Sequence, residues 1–245
     1  MSGHSHAKTI RHAKNITDQK RGQMFSKLAR EIEVAVRQGE KDPNFNPKLR
    51  MVIERAKDLR MPTENIERAI KRGTGELAGE KLEEVSFEAY GPGNIAIIIT
   101  GITDNRNRTL GEVKQILNQH NGKLVGEGAV KWLFEKNGVI TADLASQNEE
   151  LKNKEKLEMT AIEAGAKDVN WQDNVLNIYT NPEALETTKK ELENKNIKID
   201  STSLDWLAKE DIEAEEQIKE SCQKLFDALD ENDAIQEIYS NLKDN

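Results

Sequence analysis

The sequence predicts an α+β protein of three domains: an N-terminal helical domain and two α/β domains, one ferredoxin-like and inserted into the other. Three observations carry this. Helical three-and-four spacing of apolar residues, with no strand pattern among it, runs through the first 75 positions. Alternating, β-branched-rich segments begin near residue 84. A complete β-α-β-β-α-β series then runs from about 138 to 206, leaving one helix and one strand over at the C-terminus.

Within residues 17–38, Phe25, Leu28, Ile32 and Val36 form one apolar stripe, Lys20, Lys27, Arg30 and Arg37 lie roughly opposite, and Gly39 offers a stop. A second helix starts at Asn46-Pro47, where Asn can cap and Pro suits the first turn; Leu49, Val52, Ile53, Ala56 and Leu59 supply its stripe. A short third helix follows Pro62-Thr63, with Ile66, Ala69 and Ile70 inward and Gly73 as its stop. These make a helical domain over 1–75, followed by a glycine-rich linker through Glu80.

Residues 84–102 read as a hairpin turning at Gly91-Pro-Gly-Asn94. Asp104 or Asn105 can cap the next helix, whose Leu110, Val113, Ile116 and Leu117 face inward, and Val130 to Glu135 reads as a strand. The inserted series is strand 138–143, helix 149–164, strands 168–171 and 174–180, helix 182–193 and strand 197–206. The remaining helix 210–229 and strand Ile235 to Tyr239 need a sheet, and the unit at 81–136 has one to complete. The expected domains are therefore 1–75, 81–136 with 208–245, and 137–207.

Charge is distributed unevenly. The chain of 245 residues carries a formal −8. Residues 1–75 hold 17 Lys and Arg against 9 Asp and Glu, and the rest hold 19 against 35, so +8 sits on the helical domain and −16 elsewhere. Asymmetry of this kind points to a polyanionic partner, the alternative being a basic segment docked on its own acidic remainder. Lys8, Arg11, His12, Lys14, Lys20, Arg21, Lys27 and Arg30 are the expected nucleic-acid contacts. Arg106 and Arg108, where a strand hands over to a helix, are candidate anion contacts, set against the possibility that they pair with nearby carboxylates.

Other functions find little support. The single Cys222 excludes an internal disulfide framework and a Cys-rich zinc site. No phosphate-binding loop, H-E-x-x-H or G-x-S-x-G is present, so no catalytic residues, no small-molecule substrate and no cofactor are expected. His4 and His6 are not expected to form a functional metal site. Trp132, Trp171 and Trp206 fall in expected strands and read as core. No apolar run approaches the roughly 18 residues needed to span a bilayer, and Met1 to His6 lacks the apolar stretch of a secretory signal, so no membrane association and a cytoplasmic location are expected.

Several segments together resemble the YebC family. They are Gly3-His-Ser5, Ile10-Arg-His12 with Lys14, Lys20-Arg-Gly22 with Phe25 and Lys27-Leu28, Asn46-Pro47, Leu49-Arg50, Met61-Pro62, Ile66 to Arg72, Tyr90-Gly-Pro-Gly93, Thr103 to Thr109 and Phe226 to Asp230. His6-Ala7 departs from the Lys-Trp usual there, removing one cation and one aromatic ring. The resemblance implies three domains and a cytoplasmic, non-enzymatic regulator of gene expression. Members are described as DNA-binding transcriptional regulators, or as ribosome-associated translation factors contacting RNA and relieving stalling at proline runs, akin to the mitochondrial translational activator of cytochrome c oxidase I. A protein-interaction scaffold built on the acidic α/β domains is the remaining alternative.

Overall fold

A computed structural model describes residues 18–243. The expected contacts Lys8, Arg11, His12 and Lys14 lie outside the described residues. The chain forms two compact units, one comprising residues up to Phe134 together with Ala208 onward, the other Glu135–Leu207.

The first unit opens with α1 (Asp18–Gln38), α2 (Pro47–Asp58) and α3 (Thr63–Gly73). Leu28, Ile32 and Val36 of α1 pack with Leu49, Val52 and Ala56 of α2 and Ile66 and Ala69 of α3. Asn46 caps α2 by accepting from the Leu49 amide at 3.0 Å, and its Nδ2 donates to the carbonyls of Ala35 (2.9 Å) and Glu40 (2.7 Å). One side chain thus starts α2 and ties it to the end of α1. Gly73 is the last residue of α3 rather than a stop beyond it. A Cβ there would come within 2.8 Å of both the Glu33 carbonyl and Val36, so glycine lets α3 lie close against α1.

The same unit holds a sheet of order β3-β1-β2-β8, from β1 (Glu83–Tyr90), β2 (Ala96–Thr103), β3 (Lys123–Val125) and β8 (Ile235–Ser240). Strand β8 pairs antiparallel with β2, so the C-terminal strand does close the first sheet. Helices α4 (Arg106–Gln119) and α7 (Glu216–Asp230) cover one face, packing Val113, Leu117, Cys222, Leu225 and Leu229 on Val85, Phe87, Ile97 and Ile99. Cys222 is fully buried, and burial pushes its thiol up to about 11, which suits a packing role over a nucleophilic one.

The second unit holds β4 (Phe134–Asp143), α5 (Lys154–Glu163), β5 (Asp168–Gln172), β6 (Val175–Thr180), α6 (Leu185–Asn194) and β7 (Ser201–Ala208). Sheet order β5-β6-β4-β7, with β6 antiparallel to both β4 and β5, is the ferredoxin-like arrangement of the expected series. Helices α5 and α7 begin later than expected, at Lys154 after the Asn153 cap and at Glu216.

Residues 130–135 depart most from expectation. Lys131–Leu133 is a 3-10 turn and the strand begins only at Phe134. The cause is Glu88, buried on β1. Its carboxylate accepts from the amides of Gly128 (2.7 Å), Val130 (2.7 Å) and Lys131 (2.9 Å), wrapping the loop around itself. Trp132 is consequently 64% exposed, not core. Burial alone would push the Glu88 carboxyl up; the three backbone donors outweigh it and hold the group below the usual carboxylate range.

A folded-state pKa below the unfolded one gives stability that is complete above the ordinary Glu range and lost as pH falls through the lower value. Glu88→Gln is expected to cost about 1–3 kcal/mol at pH 7, from donors left without a full acceptor. In urea melts, the gap between variant and wild type should narrow as pH drops below about 4. A gap independent of pH would show that ionised Glu88 does not hold the loop.

Candidate nucleic-acid interface

The expected contacts on α1 divide in two. Lys20 and Arg21, at its start, are exposed. Lys27 and Arg30, about two to three turns further on, face α7 and its exit. Lys27 Nζ donates to the Asp230 carbonyl at 2.8 Å and to Asp230 Oδ1 at 2.7 Å, and its side chain is only 11% exposed. Gln23 Nε2 donates to the carbonyls of Asp230 (3.1 Å) and Glu231 (3.0 Å), and Arg30 donates to that of Asp233. A helix C-terminus leaves carbonyls without intrahelical donors and carries partial negative charge. The first half of α1 answers both needs of α7.

More of the basic residues are engaged the same way. Arg37 donates to the carbonyls of Leu82 (3.0 Å) and Glu80 (3.2 Å). Buried Arg55 faces Glu31 at 3.2 Å and Glu237 of β8 at 3.8 Å, and Lys48 meets Glu84 of β1 at 2.7 Å. Arg72 lies 2.8 Å from buried Glu33; burial pushes that carboxyl up, and Arg72 and Arg37 offset this only in part.

Cations pointing outward lie elsewhere. Lys41, Lys57, Arg60, Arg68 and Lys71 are exposed, and their side chains make no ion pair or hydrogen bond among the described residues. Sequence reasoning had passed over them. Arg68 and Lys71 share the solvent stripe of α3 with Glu64 and Glu67, opposite Ile66 and Ala69, a spacing that could have flagged them.

Arg106 and Arg108 do not form a clamp. Asn105 caps α4, its Oδ1 accepting from the Arg108 amide at 3.1 Å. The Arg108 guanidinium bonds Asp104 and lies 3.7 Å from Glu112. That hydrogen bond holds the Asp104 carboxyl below its ordinary range. Arg106 is exposed and unpaired among the described residues, beside a cavity at the edge of β1. No group of His, Cys, Asp and Glu able to hold a metal occurs among the described residues, and no described helix is long and apolar enough to cross a membrane.

Residues 5–76 match the family model described as the TACO1/YebC protein N-terminal domain, and residues 82–242 match the TACO1/YebC second and third domain. The chain belongs to the TACO1/YebC family. Relatives from Persephonella marina (49% identical over 245 residues, 99% of this chain and 96% of the relative) and Halothermothrix orenii (44% over 242 residues, 98% and 94%) are each named "Probable transcriptional regulatory protein". The crystal structure of a conserved hypothetical protein from Aquifex aeolicus is similar with TM-score 0.84 and 43% identity, covering 92% of this chain and 91% of that one. In this TACO1/YebC chain, two of the segments carrying the resemblance, Lys27-Leu28 and Phe226 to Asp230, meet where α1 packs on α7.

Lys27→Ala should cost about 1.5–3 kcal/mol in urea denaturation, because it removes a charged donor, its side chain only 11% exposed, from the Asp230 carbonyl. Asp230→Ala should cost under about 1 kcal/mol, its carboxylate being largely solvated. Equal costs would show that the carboxylate, not the carbonyl, is the anchor.

Proposed function

We propose that this protein is a non-enzymatic, cytoplasmic regulator of gene expression that binds nucleic acid through the exposed basic surface of its helical domain. The observation that carries this reading is the charge segregation, +8 on residues 1–75 against −16 on the rest. Lys20 and Arg21 at the start of α1 and Lys41, Lys57, Arg60, Arg68 and Lys71 on its neighbours present cations to solvent, and Lys8, Arg11, His12 and Lys14 extend the same basic sequence. Lys27 and Arg30 support the surface from behind by seating α1. Bonds of this kind neutralise phosphates and carry no base identity.

Two targets fit. The names of the curated relatives favour duplex DNA in transcription. The geometry favours structured RNA, as on a ribosome. Reading duplex sequence needs several side chains free to reach base edges at a helix start. At the start of α4 Asn105 is the cap and Arg108 is held in ion pairs, which leaves Arg106 as the one unpaired arginine there among the described residues. Phosphate and shape recognition suffice for RNA.

Binding of the full chain to ribosomal RNA and to duplex DNA should weaken steeply with salt. Replacing Lys57, Arg68 and Lys71 together by Glu should weaken it and flatten the salt slope by about one for each phosphate no longer neutralised. Unchanged binding and slope would overturn the assignment of the surface. Unchanged cellular function in a variant that no longer binds would favour the protein-interaction scaffold.

A further inference from the structure

Strand β1 is eight residues long, but β3 pairs only with its last three, Glu88, Ala89 and Tyr90. Glu83–Phe87 have no strand on that side among the described residues. Backbone direction follows from β2. Ala96 exchanges hydrogen bonds with Asn241, and the Ile102 amide donates to Ala234, so Ala96, Ile98, Thr100 and Ile102 turn their backbone groups toward β8. Their register partners Tyr90, Glu88, Ser86 and Glu84 therefore turn theirs away from β2. At Tyr90 and Glu88 these groups meet β3; at Ser86 they meet an open edge.

A cavity of about 390 Å³ lies at that edge. It touches Ser86, whose side chain lies on one face of β1, and Phe87, on the other. Space that touches both faces of a strand lies beside it, in the position of a neighbouring strand. Leu124 and Val125 of β3 close one end. Leu110 of α4 forms an apolar wall beside Phe87. Arg106, unpaired among the described residues, stands at the end where β2 hands over to α4, and Glu127 stands at the β3 end.

We propose that this edge is a docking site for an extended peptide that adds antiparallel to β1. An open edge supplies main-chain hydrogen bonds, and pockets along it select alternate side chains. Antiparallel addition places the C-terminal end of the peptide beside Arg106 and its N-terminal end beside Glu127. Of the other charged residues lining the cavity, Glu84 is paired with Lys48, and Glu88 is held by the loop amides and by the charge of Lys131. Arg106 and Glu127 therefore specify an acidic group at the peptide's C-terminal end, a basic one at its N-terminal end, and apolar residues between them toward Phe87 and Leu110. This goes beyond nucleic-acid binding and does not depend on it.

The test uses the full chain and two synthetic peptides, acetyl-Lys-Thr-Val-Thr-Val-Asp-amide and its reversed sequence, followed by amide NMR. The forward peptide should bind at least tenfold more tightly, and the Ser86 amide, fast to exchange in the free protein, should slow at least tenfold at saturation. Ser86→Pro removes the outward N–H at a position where edge strands tolerate proline, and should abolish binding with the fold intact by circular dichroism. Should that variant not fold, Arg106→Glu decides: it should reverse the preference between the peptides. No binding at millimolar peptide, or equal binding of both sequences, overturns the proposal. So does a Ser86 amide already protected in the free protein, which would assign the edge to a second copy or another segment of this chain. Ultracentrifugation, with Ser86→Pro as control, separates those two.

Discussion

The carbonyls at the C-terminal end of α7 need donors, and α1 supplies them. Gln23 and Lys27 bond the Asp230 and Glu231 carbonyls, and Arg30 bonds that of Asp233 just beyond. Those bonds set where α1 lies on the first α/β sheet. With α1 seated, Val34 packs on Leu82 and Ile102, Arg37 reaches the segment leading into β1, and α2 brings Arg55 to Glu237 and Lys48 to Glu84. Helical domain and sheet are joined chiefly by charge-assisted bonds of this kind, which are stronger than neutral ones when held away from water.

The same bonds sort the cations. A basic segment beside an acidic one can neutralise it or bind another polyanion, and this chain divides its residues between the two. Lys27, Arg30, Arg37, Arg55 and Arg72 turn inward; Lys41, Lys57, Arg60, Arg68 and Lys71 turn outward. Summed charge records neither role. Even the position-resolved +8 overstates what a phosphate backbone would meet, because part of it is already matched within the first unit.

Local signals made much of the fold legible. The Asn46 cap with Pro47, the Leu28–Ile32–Val36 stripe and the ferredoxin-like order all follow from spacings within one element or between neighbours. Features set by residues distant in the chain were not legible. Val130 to Glu135 is rich in β-branched and aromatic residues as a strand would be, yet Glu88, about 40 residues earlier, captures the loop's amides, bends Lys131–Leu133 into a 3-10 turn and turns Trp132 outward. Strand β3 has three residues, too few to show a period. At the candidate interface, the sign and place of the charge could be read, but not its direction. Lys27 and Lys20 lie on the same side of one amphipathic helix, and only the fold brings Asp230 to the first.

Lysine footprinting tests this division most directly. The full chain is acetylated at limiting reagent, with and without bound RNA or DNA, and each lysine is quantified by mass spectrometry. The account predicts that Lys41, Lys57 and Lys71 react readily in the free protein and are protected by nucleic acid, while Lys27 stays unreactive in both states. A Lys27 that reacts in the free protein and is protected by nucleic acid, with Lys57 and Lys71 indifferent to it, would contradict the account.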